Sequence, residues 1–127
     1  MDGAKDINQI SGAVVTAAMA VHSALGPGLL ESAYEACLAC ELETRGIKVR
    51  RQVELPVVYQ GVSIDVGYRV DLLVEESLIV ELKAVEAVLP IHKAQLLCYL
   101  KMHGSKVGLL LNFNVVHMRD GISRMVK

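Results

Sequence analysis

Tryptophan is missing from the 127 residues and phenylalanine occurs once, so the core has to be aliphatic. Few rings remain to stack on a row of unpaired bases, which argues against a dedicated single-strand binder. A dominant sign of charge is missing too: 13 Lys and Arg stand against 14 Asp and Glu, for a formal net charge of −1. Such a chain exerts no overall pull on a polyanion, and any such contact must come from local groups such as Arg45, Lys48, Arg50 and Arg51. Cysteine is sparse and odd in number: Cys37, Cys40 and Cys98. Cys37 and Cys40 have C-x-x-C spacing, but inside a helical pattern and with no second pair to complete a zinc site, so all three are expected to fill core. The four histidines show no paired ligand spacing. No run nears the roughly 18 apolar residues needed to cross a bilayer, and the first apolar stretch lacks a positive leader. A soluble cytoplasmic protein with no membrane partner is expected.

What the chain has in abundance is apolar residues, 53% of it, enough for one hydrophobic core at this length. Asp6-x-x-Gln9 reads as a capping box ahead of Ile7, Ile10, Val14, Ala17, Val21 and Leu25, an amphipathic helix stopped by Gly26-Pro27-Gly28. A second helix is expected over 29–45, with Leu30, Tyr34, Cys37, Leu38 and Leu42 as its apolar stripe and Gly46 as its stop. From Ile47 the period becomes 2, which predicts a strand with one wet face. Gln60-Gly61 marks a tight turn. If Tyr59 faces Val62, then Val57, Leu55 and Val53 face Ile64, Val66 and Tyr68.

The densest pattern is 68–83, YRVDLLVEESLIVELK. Two runs of β-formers flank Glu75-Glu76-Ser77, a plausible hairpin loop. If Val74 faces Leu78, counting outward sets Asp71 across from Glu81. Opposed side chains have Cβ atoms roughly 4.5–5.5 Å apart, and like charges placed there destabilise a sheet. Lys83 shares the face of Glu81 and offsets part of the repulsion; a divalent cation held by carboxylates would offset more. An exposed sheet face with ordinary charges is the alternative. Continued by twos, Val66, Tyr68, Val70, Leu72 and Val74 share one side with Leu78, Val80 and Leu82, and the charged residues share the other.

Pro90 opens a helix running to about Met102, with Ile91, Leu96 and Leu100 inward and His92, Gln95 and Tyr99 as a second stripe. Val107 to Leu111 reads as a fully buried strand, and Asp120-Gly121 as a turn before a short strand over 122–126.

Asp71 followed by Glu81-Leu82-Lys83 resembles the signature of the PD-(D/E)XK nuclease superfamily, an acid on one strand and acid-x-lysine on the next. Val70 stands where that name puts a proline. Gly28-Leu-Leu-Glu31-Ser-Ala-Tyr34 resembles the motif of the GxxExxY proteins within that superfamily, and Gln95-x-x-x-Tyr99 resembles a glutamine-tyrosine motif that flanks the active site in several of its branches. The resemblance implies a restriction-endonuclease-like core, α-β-β-β-α-β around a mixed sheet, preceded by an extra N-terminal helix. As a single α/β domain over 1–127, this divides into helix and linker over 1–27 and core over 28–127. It implies a nuclease acting on DNA, in which Asp71, Glu81 and the Leu82 carbonyl hold Mg²⁺ (or Mn²⁺). Lys83 would serve the attacking water or the developing charge. Glu31 would be a third acid, held by Tyr34 and able to meet a second ion; without the resemblance it is a favourable first-turn charge. Gln95 and Tyr99 would flank the site, or simply line a half-exposed helix. A homodimer would suit action on two strands. The alternative is a catalytically inactive nucleic-acid-binding or protein-interaction module of the same fold.

Overall fold

Helix α1 (Ile7–Leu25) begins where Asp6 accepts the Asn8 N–H at 3.0 Å while Gln9 accepts the Asp6 N–H at 3.2 Å, the reciprocal cap its sequence predicts. The computed structural model describes residues 6–127. Helix α2 (Glu31–Thr44) follows, then strands β1 (Val49–Glu54), β2 (Val57–Tyr59), β3 (Val62–Ile64), β4 (Arg69–Val74) and β5 (Leu78–Lys83). Helix α3 (Pro90–His103), β6 (Val107–Asn112), a 3-10 turn and β7 (Ile122–Val126) complete the chain.

Five strands form one sheet in the order β1-β4-β5-β6-β7. Only β5 and β6 run parallel, joined by α3 as the crossover. This is the expected α/β domain with a mixed sheet. Helices α1 and α2 cover one face through Val14, Ala17, Tyr34, Leu38 and Leu42, packed on Leu72, Val80, Leu82 and Leu111. Helix α3 covers the other through Leu96, Tyr99 and Leu100, packed on Leu73, Ile79 and Leu110. Burial on both faces explains the unbroken apolar run of β6, all six residues of which are buried.

Several expectations fail for physical reasons. The β2–β3 hairpin keeps the predicted pairing of Val57 with Ile64 and Tyr59 with Val62, but it stands apart as its own two-stranded sheet. In the main sheet Val53 pairs with Val70 rather than Tyr68, because the turn at Gly67 (φ 78°) absorbs residues between the two registers. The wet face expected on β1 is present, since Arg50, Gln52 and Glu54 are exposed, but on β4 and β5 the side carrying the charged residues is covered in part by α3 through Leu73 and Ile79. Leu30 is 75% exposed and Ile91 67%, since both lie at helix starts that overhang the sheet. All three cysteines are exposed rather than core-filling, because Leu38, Ala39 and Leu42 fill the buried face of α2 and Leu96, Tyr99 and Leu100 that of α3.

The expected continuous apolar side breaks in the middle of β4. Leu72 and Val74 join the α1/α2 core, whereas Val70 joins the α3 core. The partner strand breaks with it: Val49 packs on the first core and Val53 on the second. Between Arg51↔Leu72 and Val53↔Val70 lie Gln52 and Asp71, and Gln52 takes a left-handed φ of 51°. No residue is inserted. A single non-glycine residue in the left-handed region turns the alternation over, at a conformational cost typical of functional positions.

Candidate active site

The β4–β5 ladder pairs Leu72 with Val80, Leu73 with Ile79 and Val74 with Leu78, closed by the three-residue loop at Glu75-Glu76-Ser77. Asp71 and Glu81 are the next residues outward in that register, and there the main-chain ladder stops. Side chains take its place: the Asp71 N–H donates to Glu81 Oε2 at 2.7 Å, and the Leu82 N–H donates to Asp71 Oδ2 at 2.9 Å. Each carboxylate therefore satisfies an amide of the opposite strand. β5 stays paired with β6 as far as Lys83, and β1 with β4 as far as Arg69, so a notch opens between β4 and β5 inside an otherwise intact sheet.

Burial dominates the electrostatics of this notch. Glu81 is pushed up to about 8, first by burial and then by the Asp71 charge. The Asp71 carboxyl is raised too, again chiefly by burial, although the Leu82 N–H and Gln52 hold it down and Glu35 and Glu31 push it further up. Among the described residues the ion pairs are Arg45–Glu41, Arg50–Glu76, Arg51–Glu35 and Arg69–Glu54, and none engages Asp71 or Glu81. Lys83 is half-buried and its charge favours ionised Glu81 without a direct ion pair. Two crowded carboxylates thus lack a contacting cation.

Glu31 is exposed in the first turn of α2, yet near enough for its charge to raise both Asp71 and Glu81. Tyr34 does not hold it. Tyr34 is fully buried, stacks on Phe113 at 4.6 Å, and spends its hydroxyl on the Gly26 carbonyl and the Leu29 N–H. It clamps the loop that delivers α2. Tyr99 is 5% exposed, and burial raises its hydroxyl, followed by the charge of Glu81. Gln95, one turn earlier on α3, is exposed and lines a cavity with Tyr99. Leu82 itself is buried in the α1/α2 core.

Sequence reasoning passed over Glu35 and Gln52. Glu35 is 7% exposed and accepts from Arg51 Nε at 3.0 Å and from Gln52 Nε2 at 2.7 Å; the same Gln52 nitrogen reaches Asp71 Oδ1 at 3.2 Å. The available signal was position. Glu35 lies three residues before Leu38 and seven before Leu42, on the buried stripe of α2, where a carboxylate needs partners.

No group of three or more His, Cys, Asp or Glu among the described residues is gathered tightly enough to hold a metal ion by itself. The notch nonetheless fits a hard divalent cation. Mg²⁺ characteristically binds through one or two carboxylates and completes its shell with water and substrate oxygens, and half-buried Asp71 and buried Glu81 are two neighbouring carboxyl groups that no Lys or Arg pairs with among the described residues.

Comparison with known proteins identifies the family. A family model described as PD-(D/E)XK nuclease superfamily matches residues 8–125. Neither a curated protein nor a solved structure matches the chain.

Proposed function

The chain belongs to the PD-(D/E)XK nuclease superfamily, and from that premise we propose that it is a metal-dependent nuclease hydrolysing phosphodiester bonds in DNA. The observation that supports the reading is the notch itself: half-buried Asp71 and buried Glu81 on neighbouring strands, each accepting an amide of the other strand and each shifted toward protonation by burial. Asp71 and Glu81, with the Leu82 carbonyl, would hold Mg²⁺ (or Mn²⁺), and Glu31 on the rim would assist a second ion. When bound, such an ion polarises the phosphate and lowers the pKa of a nearby water. Lys83 would orient the attacking water or stabilise the charge that builds on the phosphate oxygens as the ester bond breaks. Tyr99 and Gln95 would flank the reacting group. Glu35, acting through Gln52, would keep Asp71 in place and is a positioning residue.

The test is Mg²⁺-dependent cleavage of plasmid and oligonucleotide DNA by purified Asp71→Ala and Lys83→Ala, each with wild-type circular dichroism. Both are expected to lose cleavage; undiminished cleavage by either refutes its role.

One observation supports a second reading, a non-catalytic binding module. The carboxylates already satisfy each other's strand amides without a cation. DNA binding that persists in EDTA and weakens with salt, with no cleavage in any divalent metal, would favour it.

A further inference from the structure

Beside the notch, a cavity of about 340 Å³ opens between the start of β4 and α3, lined by Tyr68, Gln95, Cys98, Tyr99, Lys101 and Met102. We propose that this cavity is a subsite for a single unpaired nucleobase of the nucleic-acid strand being cut. The proposal rests on the nuclease reading of the neighbouring carboxylates and adds to it a substrate feature: one base that has left its stack.

The walls argue for a flat, aromatic guest. They are nearly all carbon, and the two rings facing the space differ in freedom. Tyr99 is 5% exposed and fixed in the α3 core, whereas Tyr68 is 45% exposed. Their centroids lie 6.0 Å apart with planes tilted by 52°, a tilted pair rather than a parallel stack, and Tyr68 keeps 45% of its surface open to a guest. The backbone of Tyr68 is held, because its carbonyl accepts the Leu55 N–H at 2.9 Å and the preceding turn is tied by Asp65 Oδ1 to the Gly67 N–H at 2.9 Å. Two of the chain's four tyrosines converge on this one point.

The polar groups of the lining suit a base better than an aliphatic side chain. The Gln95 amide offers both donors and an acceptor to a base edge, and Lys101 offers a cation to a flanking phosphate. Stacking on an aromatic face combined with edge hydrogen bonds is how proteins hold splayed-out bases. Position ties the subsite to the chemistry. Tyr68 precedes Asp71 by three residues on the same strand approach, and Tyr99 is close enough to Glu81 and Asp71 to sense their charge. A base seated on Tyr68 would therefore belong to a nucleotide close to the phosphate under attack. Substrates with single-stranded, flapped or mismatched nucleotides would be preferred over perfect duplex, because extruding a paired base costs energy.

The experiment uses the full chain in EDTA, where binding is read without cleavage. Short single-stranded oligonucleotides carrying one 2-aminopurine, or an abasic residue at that position, are titrated against wild type, Tyr68→Ala and Tyr68→Phe. Wild type and Tyr68→Phe are expected to quench the 2-aminopurine, and Tyr68→Ala to bind about tenfold more weakly, as loss of one stacked base implies. The abasic oligonucleotide should bind wild type as weakly as the intact one binds Tyr68→Ala, with no further loss when both changes combine. Equal affinity of wild type and Tyr68→Ala, or additive losses, would overturn the subsite. Cleavage by Asp71→Ala reports on the nuclease reading separately. Cleavage lost in Asp71→Ala alongside binding indifferent to Tyr68 would remove the subsite alone.

Discussion

Glu35 and Asp71 share one hydrogen-bond donor: Gln52 Nε2 lies 2.7 Å from Glu35 Oε1 and 3.2 Å from Asp71 Oδ1. The helix α2 and the strand β4 are thereby coupled through a residue whose own backbone is left-handed. Gln52→Gly and Gln52→Ala separate the two contributions. Both remove the donor from Asp71, and both should lower turnover alike with little change in KM. Glycine alone removes the left-handed cost, so Gln52→Gly should be about 1 kcal/mol more stable than Gln52→Ala in urea denaturation.

Glu35→Leu removes the nearer acceptor of the Gln52 amide, which is exposed and keeps Asp71 Oδ1 and water as partners. A loss of about 0.5–1.5 kcal/mol is expected, that of one hydrogen bond rather than of a stranded buried donor. The Arg51 partner is 48% exposed, so its ion pair adds little. Chemical denaturation of the variant beside wild type measures the loss, and an unchanged midpoint would contradict the coupling.

Metal-free stability should fall as pH rises. Glu81 titrates near 8 in the fold against an ordinary value of 4.5. Below 4.5 both folded and unfolded chains hold the proton; between 4.5 and 8 only the folded chain holds it, so each step upward in pH favours unfolding. The raised Asp71 acts with the same sign from its ordinary value of 3.8 upward. Glu81→Gln should flatten most of the decline and exceed wild type in stability at pH 8. Thermal melts in EDTA across pH 5 to about 8.5 test this, and a wild-type curve that climbs through the window would contradict it.

Divalent metal should reverse that trend. Ligation requires an ionised carboxylate, so Mg²⁺ must displace the Glu81 proton and bind more tightly as pH approaches 8. Titration calorimetry near pH 7 in buffers of different ionisation enthalpy should register release of about one proton. Glu81→Gln should abolish both the release and most of the affinity.

Gly121→Ala tests the end of β6, where Asn112 pairs with Lys83. An added Cβ would lie 2.0 Å from the Asn112 carbonyl oxygen, a main-chain atom that cannot step aside. Asn112 is itself fixed, since its side chain takes the Val85 N–H at 3.1 Å and donates to the Val85 carbonyl at 3.0 Å. Destabilisation of about 1–3 kcal/mol or more is expected, read as a lowered urea midpoint.

The meander was legible because each of its turns carries local chemistry. Gln60-Gly61 and the loop at Glu75-Glu76-Ser77 fix their own flanking pairs, and the strand runs around Asp71 and Glu81 are too apolar to be anything but buried sheet. Pro90 and Gly104 likewise bracket α3. What stayed hidden depends on non-local geometry. A left-handed glutamine leaves no mark in composition, so the exchange of faces at Gln52 and Asp71 could not be foreseen by counting in twos. Nor could periodicity tell that α3 would cover Leu73 and Ile79, or that Glu81 would be buried deeply enough to lift its pKa. The exposure of the cysteines follows from position rather than residue type: alanine and leucine fill the inner face of α2 beside Cys37 and Cys40, and Leu96, Tyr99 and Leu100 that of α3 beside Cys98.

The hairpin of β2 and β3 leaves the main sheet after Glu54 and returns at Arg69, two residues paired with each other. Its exit and re-entry are thus adjacent, and neither core cluster draws a residue from β2 or β3. Evolution can lengthen, shorten or replace such an appendage without disturbing the scaffold, and on the proposed reading each change would alter what meets substrate beside Tyr68. Diversity among relatives of this fold should therefore concentrate in that short span, and a graft there would be the simplest route to redirecting its choice of target.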